Sequence, residues 1–99
     1  MSPPVTVQFR LYVAGDAPHG VEALANLTAL CRECLPDRHA IEVVDVFKEP
    51  KRALADGVFL TPLLVKQSPS PALQIVGTLS QRAVVLRVLG LEAVAGAAS

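Results

Sequence analysis

The sequence predicts an α/β domain with the element order β-α-β-α-β-β-α, and three observations carry that prediction. Val5 to Ala14 alternates strictly, Val21 to Leu35 changes to a helical period, and Ala40 to Phe47 returns to a β-branched apolar run. A strand, a helix and a second strand within about forty residues form a right-handed βαβ unit with parallel strands.

Each element has a local cause. Val5, Val7, Phe9, Leu11 and Val13 share one face of the first strand, with Thr6, Gln8, Arg10 and Tyr12 on the other. Gly15-Asp16-Ala17-Pro18-His19-Gly20 breaks the strand with turn chemistry. The helix that follows carries Leu24, Leu27, Cys31 and Cys34 on one stripe, leaves Glu22, Asn26, Arg32 and Glu33 off it, and ends at Pro36-Asp37. The second strand is apolar around a lone Asp45, the pattern of a strand covered on both faces. Pro50 suits the first turn of a short helix, Lys51 to Asp56, and Gly57 its C-terminal cap. A third strand starts after Pro62, where proline loses no ladder bond. Ser68-Pro69-Ser70-Pro71 turns the chain, Leu73 to Val76 pairs back as a hairpin, and Ser80 is the expected N-cap of a last helix, Gln81 to Leu91. That order is the order of a thioredoxin-like domain. The last third stays open on local grounds: Leu73–Val76 also reads as a helix end and Ala83–Leu89 as a strand. Propensity differences on the order of a few tenths of a kcal/mol per residue do not separate the readings.

Composition narrows the function. Ninety-nine residues suit one domain (expected over 1–99, with an ordered core of about 5–91 and a frayed tail at 92–99). A 52% apolar and 18% charged chain is not a disordered one. Nine basic against nine acidic residues remove the drive for non-specific binding to nucleic acid or anionic membrane, and also the self-repulsion that keeps copies apart. Met1-Ser2-Pro3-Pro4 lacks a basic leader, and Ala83-Val84-Val85-Leu86, the longest strictly apolar run, is far short of a membrane span. The expected location is the cytoplasm, where two cysteines stay reduced.

Four segments carry a resemblance. Leu11-Tyr12-Val13-Ala14-Gly15-Asp16-Ala17-Pro18, Val44-Asp45-Val46-Phe47-Lys48-Glu49-Pro50, Thr61-Pro62 and Gly77-Thr78-Leu79-Ser80 resemble the KaiB family of circadian clock proteins, over about Phe9 to Leu91. The resemblance implies a non-catalytic regulator that binds a KaiC-type ATPase and modulates its cycle, and self-association as a dimer or tetramer. It also implies two folds: the thioredoxin-like one and a ground-state arrangement, β-α-β-β-α-α-β, that differs in the C-terminal half. On that reading Ala40, Glu42, Lys66 and Arg82 are partner contacts, and Pro62, Pro69, Pro71, Val88 and Gly90 lie where the folds diverge. Pro62 is expected cis in the thioredoxin-like arrangement and trans in the other. The chain departs from the family pattern at Thr78, Val88 and Gly90. Glu22, Glu42, Leu73 and Gln74 stand at positions that are basic in typical clock members, so a partner surface built on those charges changes sign. A sensor-type KaiB-like interaction module is the alternative; a 99-residue chain with no following linker speaks against it.

Cys31-Arg32-Glu33-Cys34 is a CxxC, which invites a thiol oxidoreductase reading. Position argues against that reading, because the pair lies at the end of its helix, where the dipole disfavours thiolate, and on the apolar stripe. Asp16 to Gly20, where a thioredoxin would place its dithiol, has no cysteine. Cys31, Cys34 and His39 lack a fourth ligand at a zinc-like spacing, and no metal or cofactor is expected. Asp45 is expected to accept backbone N–H bonds rather than act as a catalytic acid. His19, Lys66 and Arg82 read as solvated groups unless the partner engages them.

Overall fold

The structure, a computed structural model, describes residues 6–92. Its elements are β1 (Val7–Val13), α1 (Pro18–Cys34), β2 (His39–Asp45), α2 (Pro50–Ala55), β3 (Leu63–Ser68), β4 (Leu73–Val76) and α3 (Arg82–Leu89). The order is β-α-β-α-β-β-α, so the ambiguous last third resolves into a hairpin strand and a helix. Of the expected tail, residues 93–99 lie outside the described residues.

One sheet runs β2-β1-β3-β4. β1 pairs parallel with β2 from Val7↔His39 to Val13↔Asp45, and antiparallel with β3. The β1–β3 register shifts at Gln8/Phe9, which leaves Gln67 unopposed as the extra residue of a bulge. β4 closes the hairpin, Leu63↔Val76 to Lys66↔Leu73. The Thr61–Pro62, Ser68–Pro69 and Ser70–Pro71 bonds are cis, the first as expected for this arrangement.

The odd residues of β1 build the main core. Phe9, Leu11 and Val13 pack with Leu64 of β3 against Ala23, Leu27, Leu30, Cys31 and Cys34 of α1 and Val85, Leu86 and Leu89 of α3. Each of the larger side chains contributes roughly 1.5–3 kcal/mol by leaving water. α1 begins three residues before its apolar period does, because Pro18 is tolerated in a first helical turn. A Cβ on Gly20 would lie 3.1 Å from the Cβ of Val13, so glycine lets that turn close on the sheet.

Three expectations are corrected by packing. Tyr12 is not on a solvent face: it is fully buried with Val44 and Leu63 in a second, smaller cluster beneath α2. β2 is not covered on both faces, because it is an edge strand; Val43 is 44% exposed and Val44 alone of the strand is buried. Ser80 does not cap α3: Gln81 holds that position without a side-chain bond, and the Ser80 hydroxyl accepts from Thr78 Oγ1 at 3.2 Å.

Candidate partner-docking face

Parallel pairing of β1 and β2 sets Arg10 directly opposite Glu42. Both project from the sheet face that carries Tyr12; α2 lies over that face and supplies Arg52, and Asp56 follows as its C-cap. Arg10 Nε donates to Glu42 Oε1 at 2.9 Å, and its Nη1 donates to Asp56 Oδ2 at 3.1 Å. Arg52 Nη2 donates to both Glu42 oxygens at 2.7 Å, and its Nη1 lies 3.5 Å from Glu49 Oε1. The buried Tyr12 hydroxyl donates to the same Asp56 oxygen. Gln67, set on this face by the bulge, accepts from Arg10 at 3.0 and 3.1 Å with its amide oxygen turned inward.

The result is a charge-compensated clasp that fastens α2 to the sheet. Arg52 first and Arg10 second hold the Glu42 carboxyl below its usual range. Glu42 is still 47% exposed, so a partner can reach it. Next to the clasp the surface turns apolar: Leu54 projects from α2, and Phe59 and Leu60 from the loop that follows. A hollow of about 150 Å³ opens between Phe59, Leu60, Leu63, Gln74 and Val76.

The four expected contact positions do not converge. Ala40 and Glu42 lie on this face at the sheet edge. Lys66 pairs with Phe9, so it belongs to the opposite face, and it is 7% exposed rather than a solvated charge. A lysine can lie on such a face because its long apolar stem packs well against an apolar layer. Arg82 caps that opposite layer, ion-paired to Glu33 of α1. Of the positions expected to separate two folds, Pro62 precedes β3, Pro69 and Pro71 form the β3–β4 turn, Val88 lies on the outer side of α3, and Gly90 ends it. Arg10, Tyr12, Arg52 and Asp56 escaped the sequence reading. Sliding the two apolar strands into parallel register, 32 residues apart, would have exposed the Arg10–Glu42 pair.

The remaining chemistry is structural. Asp45 Oδ1 accepts from the N–H groups of Gly15 (3.1 Å) and Phe47 (2.9 Å), tying the β1–α1 loop to the β2–α2 loop. These two bonds, Phe47 first, hold its carboxyl below the usual range. Cys31 and Cys34 are free and buried in the main core. Burial first, and the neighbouring Cys34 second, push the Cys31 thiol up to about 11, away from nucleophilic use at neutral pH. His19 is exposed in the first turn of α1. Among the described residues no three His, Cys, Asp or Glu side chains gather to hold a metal ion, and no helix is long and apolar enough to cross a membrane.

Comparison with known proteins agrees with the fold and narrows the family. Residues 10–91 match the model of the KaiB domain. The chain is 38% identical over 88 residues to the circadian clock protein KaiB3 of Synechocystis sp., covering 89% of this chain and 84% of the relative. It is 40% identical over 96 residues to the circadian clock oscillator protein KaiB of Synechococcus elongatus, covering 97% and 92%. Among solved structures, chloroplastic thioredoxin z superposes with a TM-score of 0.70 at 19% identity, over 94% of this chain and 98% of that one, a likeness of fold.

Proposed function

The chain belongs to the KaiB family, and on that premise we propose that it is a non-catalytic cytoplasmic regulator that docks on a KaiC-type ATPase and modulates its phosphorylation and ATPase cycle. The family match across residues 10–91 carries the reading. The docking surface is the face of Ala40 and Glu42, with Arg52 and Leu54 of α2 and Phe59 beside it. A rigid polar clasp beside exposed apolar side chains suits a protein interface better than a small-molecule pocket. Buried, unreactive thiols support binding over thiol chemistry. Lys66 and Arg82 lie on the far layer and serve this surface only if the C-terminal half takes its second arrangement.

Mixing the protein with a purified KaiC-type ATPase and nucleotide, then following co-elution and ATP turnover, tests the proposal. A stable complex with altered turnover is expected, and Leu54→Asp together with Ala40→Arg should abolish it. Failure to bind such an ATPase, together with turnover of insulin disulfides, would reverse the reading.

A further inference from the structure

β4 has four residues and forms one edge of the sheet, and that edge has shaped surroundings. Gly77 N–H donates to Pro62 O, and the register runs from Leu63↔Val76 to Lys66↔Leu73, so Leu73 and Ile75 turn their backbone groups towards β3. Gln74 and Val76 therefore turn theirs outward, where among the described residues no strand meets them. Just beyond, the edge closes, because Thr78 O accepts from Asn26 Nδ2 at 2.9 Å. Side chains alternate across the same strand. Val76 shares its face with Leu63 and borders the hollow of about 150 Å³ beside Phe59 and Leu60, on the α2 side. Ile75 shares its face with Leu64, on the main-core side, and borders a larger hollow of about 310 Å³ completed by Leu79, Val84 and Val85. Consecutive residues of one free edge thus open onto hollows on opposite faces of the sheet.

We propose that β4 binds an extended segment of another protein as an added antiparallel strand. Such a site does not depend on the identity of the partner that meets the clasp. Strand addition satisfies the N–H and C=O of both Gln74 and Val76, and alternate side chains supply selectivity. A residue directly opposite Val76 points to the α2-side hollow, which suits a small apolar side chain. The next, opposite Ile75, points to the larger hollow, which suits leucine. The third, opposite Gln74, meets an exposed amide, and the fourth, opposite Leu73, returns to the α3 side. Charge favours an acid there. From Gly57 to Leu91 the chain carries Lys66, Arg82 and Arg87 and no Asp or Glu. Lys66 is buried, and Arg82 is held by Glu33. Arg87 stands one turn beyond Val84 on α3, is exposed, and makes only a loose contact with Glu92 at 3.9 Å. The preferred segment therefore reads apolar, large apolar, polar, acidic from its N-terminus. Its two adjacent apolar residues must fall on opposite faces, which selects an extended strand over an amphipathic helix.

The test is fluorescence polarisation of fluorescein-labelled hexapeptides titrated with the intact protein. Thr-Val-Leu-Thr-Glu-Thr fits the pattern; Thr-Val-Thr-Leu-Glu-Thr has the same composition but puts both apolar residues on one face. Saturable binding of the first is expected, at least ~10-fold tighter than of the second. Val76→Pro removes one outward N–H and no bond to β3, and should weaken the first peptide at least ~10-fold with an unchanged circular dichroism spectrum. Val84→Glu, at a half-exposed helical position, tests the larger hollow without proline and should weaken the same peptide. Arg87→Gln should weaken it ~3-fold and leave a peptide with Gln in place of Glu unaffected. No saturable binding of the first peptide, or equal binding of the two, overturns the proposal. So does binding that is lost with Val43→Pro on β2 but not with Val76→Pro. Light scattering that shows a dimer of this chain, lost in Val76→Pro, would give the edge to a second copy and overturn it as well.

Discussion

Gly90→Ala isolates the cost of one backbone conformation at the end of α3. Gly90 holds φ +73°, its N–H bonds to Arg87 O, and Leu91 N–H bonds to Leu86 O, the paired bonds of a Schellman termination. Leu91 then packs on the main core beside Leu86. A Cβ on Gly90 meets nothing within 4 Å, so no clash contributes and only the left-handed backbone is penalised. That penalty is about 1 kcal/mol for alanine and less for asparagine, which tolerates the region. For a domain of this size about 1 kcal/mol lowers the melting temperature by about 4–8 °C. Thermal unfolding followed by circular dichroism should rank glycine above asparagine above alanine. An alanine variant that melts with the wild type, or an asparagine variant no better than alanine, refutes the reasoning. Either result would mean that α3 does not end in this turn in solution.

Other consequences are as direct. Asp45→Asn should flatten the acid limb of stability. The folded carboxyl titrates below its unfolded value, so its contribution is present at neutral pH and is lost as pH falls through the depressed pKa; urea midpoints between neutral and acid pH measure it. Tyr12→Phe leaves Asp56 to Arg10 alone and should cost about 1 kcal/mol in denaturant unfolding, because one charge-assisted bond to a partly exposed carboxylate is lost. Cys31 should resist alkylation in the native state at pH 8 and react readily once denatured; fast native labelling would contradict its burial and its pKa near 11. The proposed docking on a KaiC-type ATPase should depend weakly on salt. The exposed face is charge-compensated, so stopped-flow association rates should change less than ~3-fold between low and high ionic strength.

How much was legible depended on the range of the interaction. β1 and the order of elements through α2 follow from local periodicity, turn chemistry and the short spacing between elements, whereas Leu73–Val76 and Ala83–Leu89 stayed open on local grounds until the pairing of β4 with β3 fixed them. The acceptor role of Asp45 was legible too, since a lone carboxylate in an apolar strand must find donors nearby. What local patterns hid was the second layer. Period-two alternation puts Tyr12 with the polar residues, and only α2, folding back more than forty residues later, turns that face into a small core. The exposure of β2 was hidden for the same reason: its apolar run is that of a buried strand, and only sheet order shows that it lies at the rim. Lys66 was misread because an amphipathic stem can follow either face of a strand, and the β3 register chose the apolar one.

The thioredoxin-like scaffold also explains why the thiols of this chain are poorly placed for chemistry. In this fold, reactive groups belong at the first turn of α1, where unpaired N–H groups and the helix dipole stabilise an anion. This chain fills that turn with Pro18, His19 and Gly20, the last pressed against Val13 so closely that a side chain would not fit without movement. Its two sulfurs sit at the other end of the same helix, where the dipole opposes thiolate, and burial adds to that opposition. Moving the thiols from one end of α1 to the other turns a reactive pair into packing volume. What the molecule offers to solvent is then the clasp of Arg10, Glu42, Arg52 and Asp56, the apolar side chains beside it, and an open strand edge. Each of these is a feature that a protein partner can recognise.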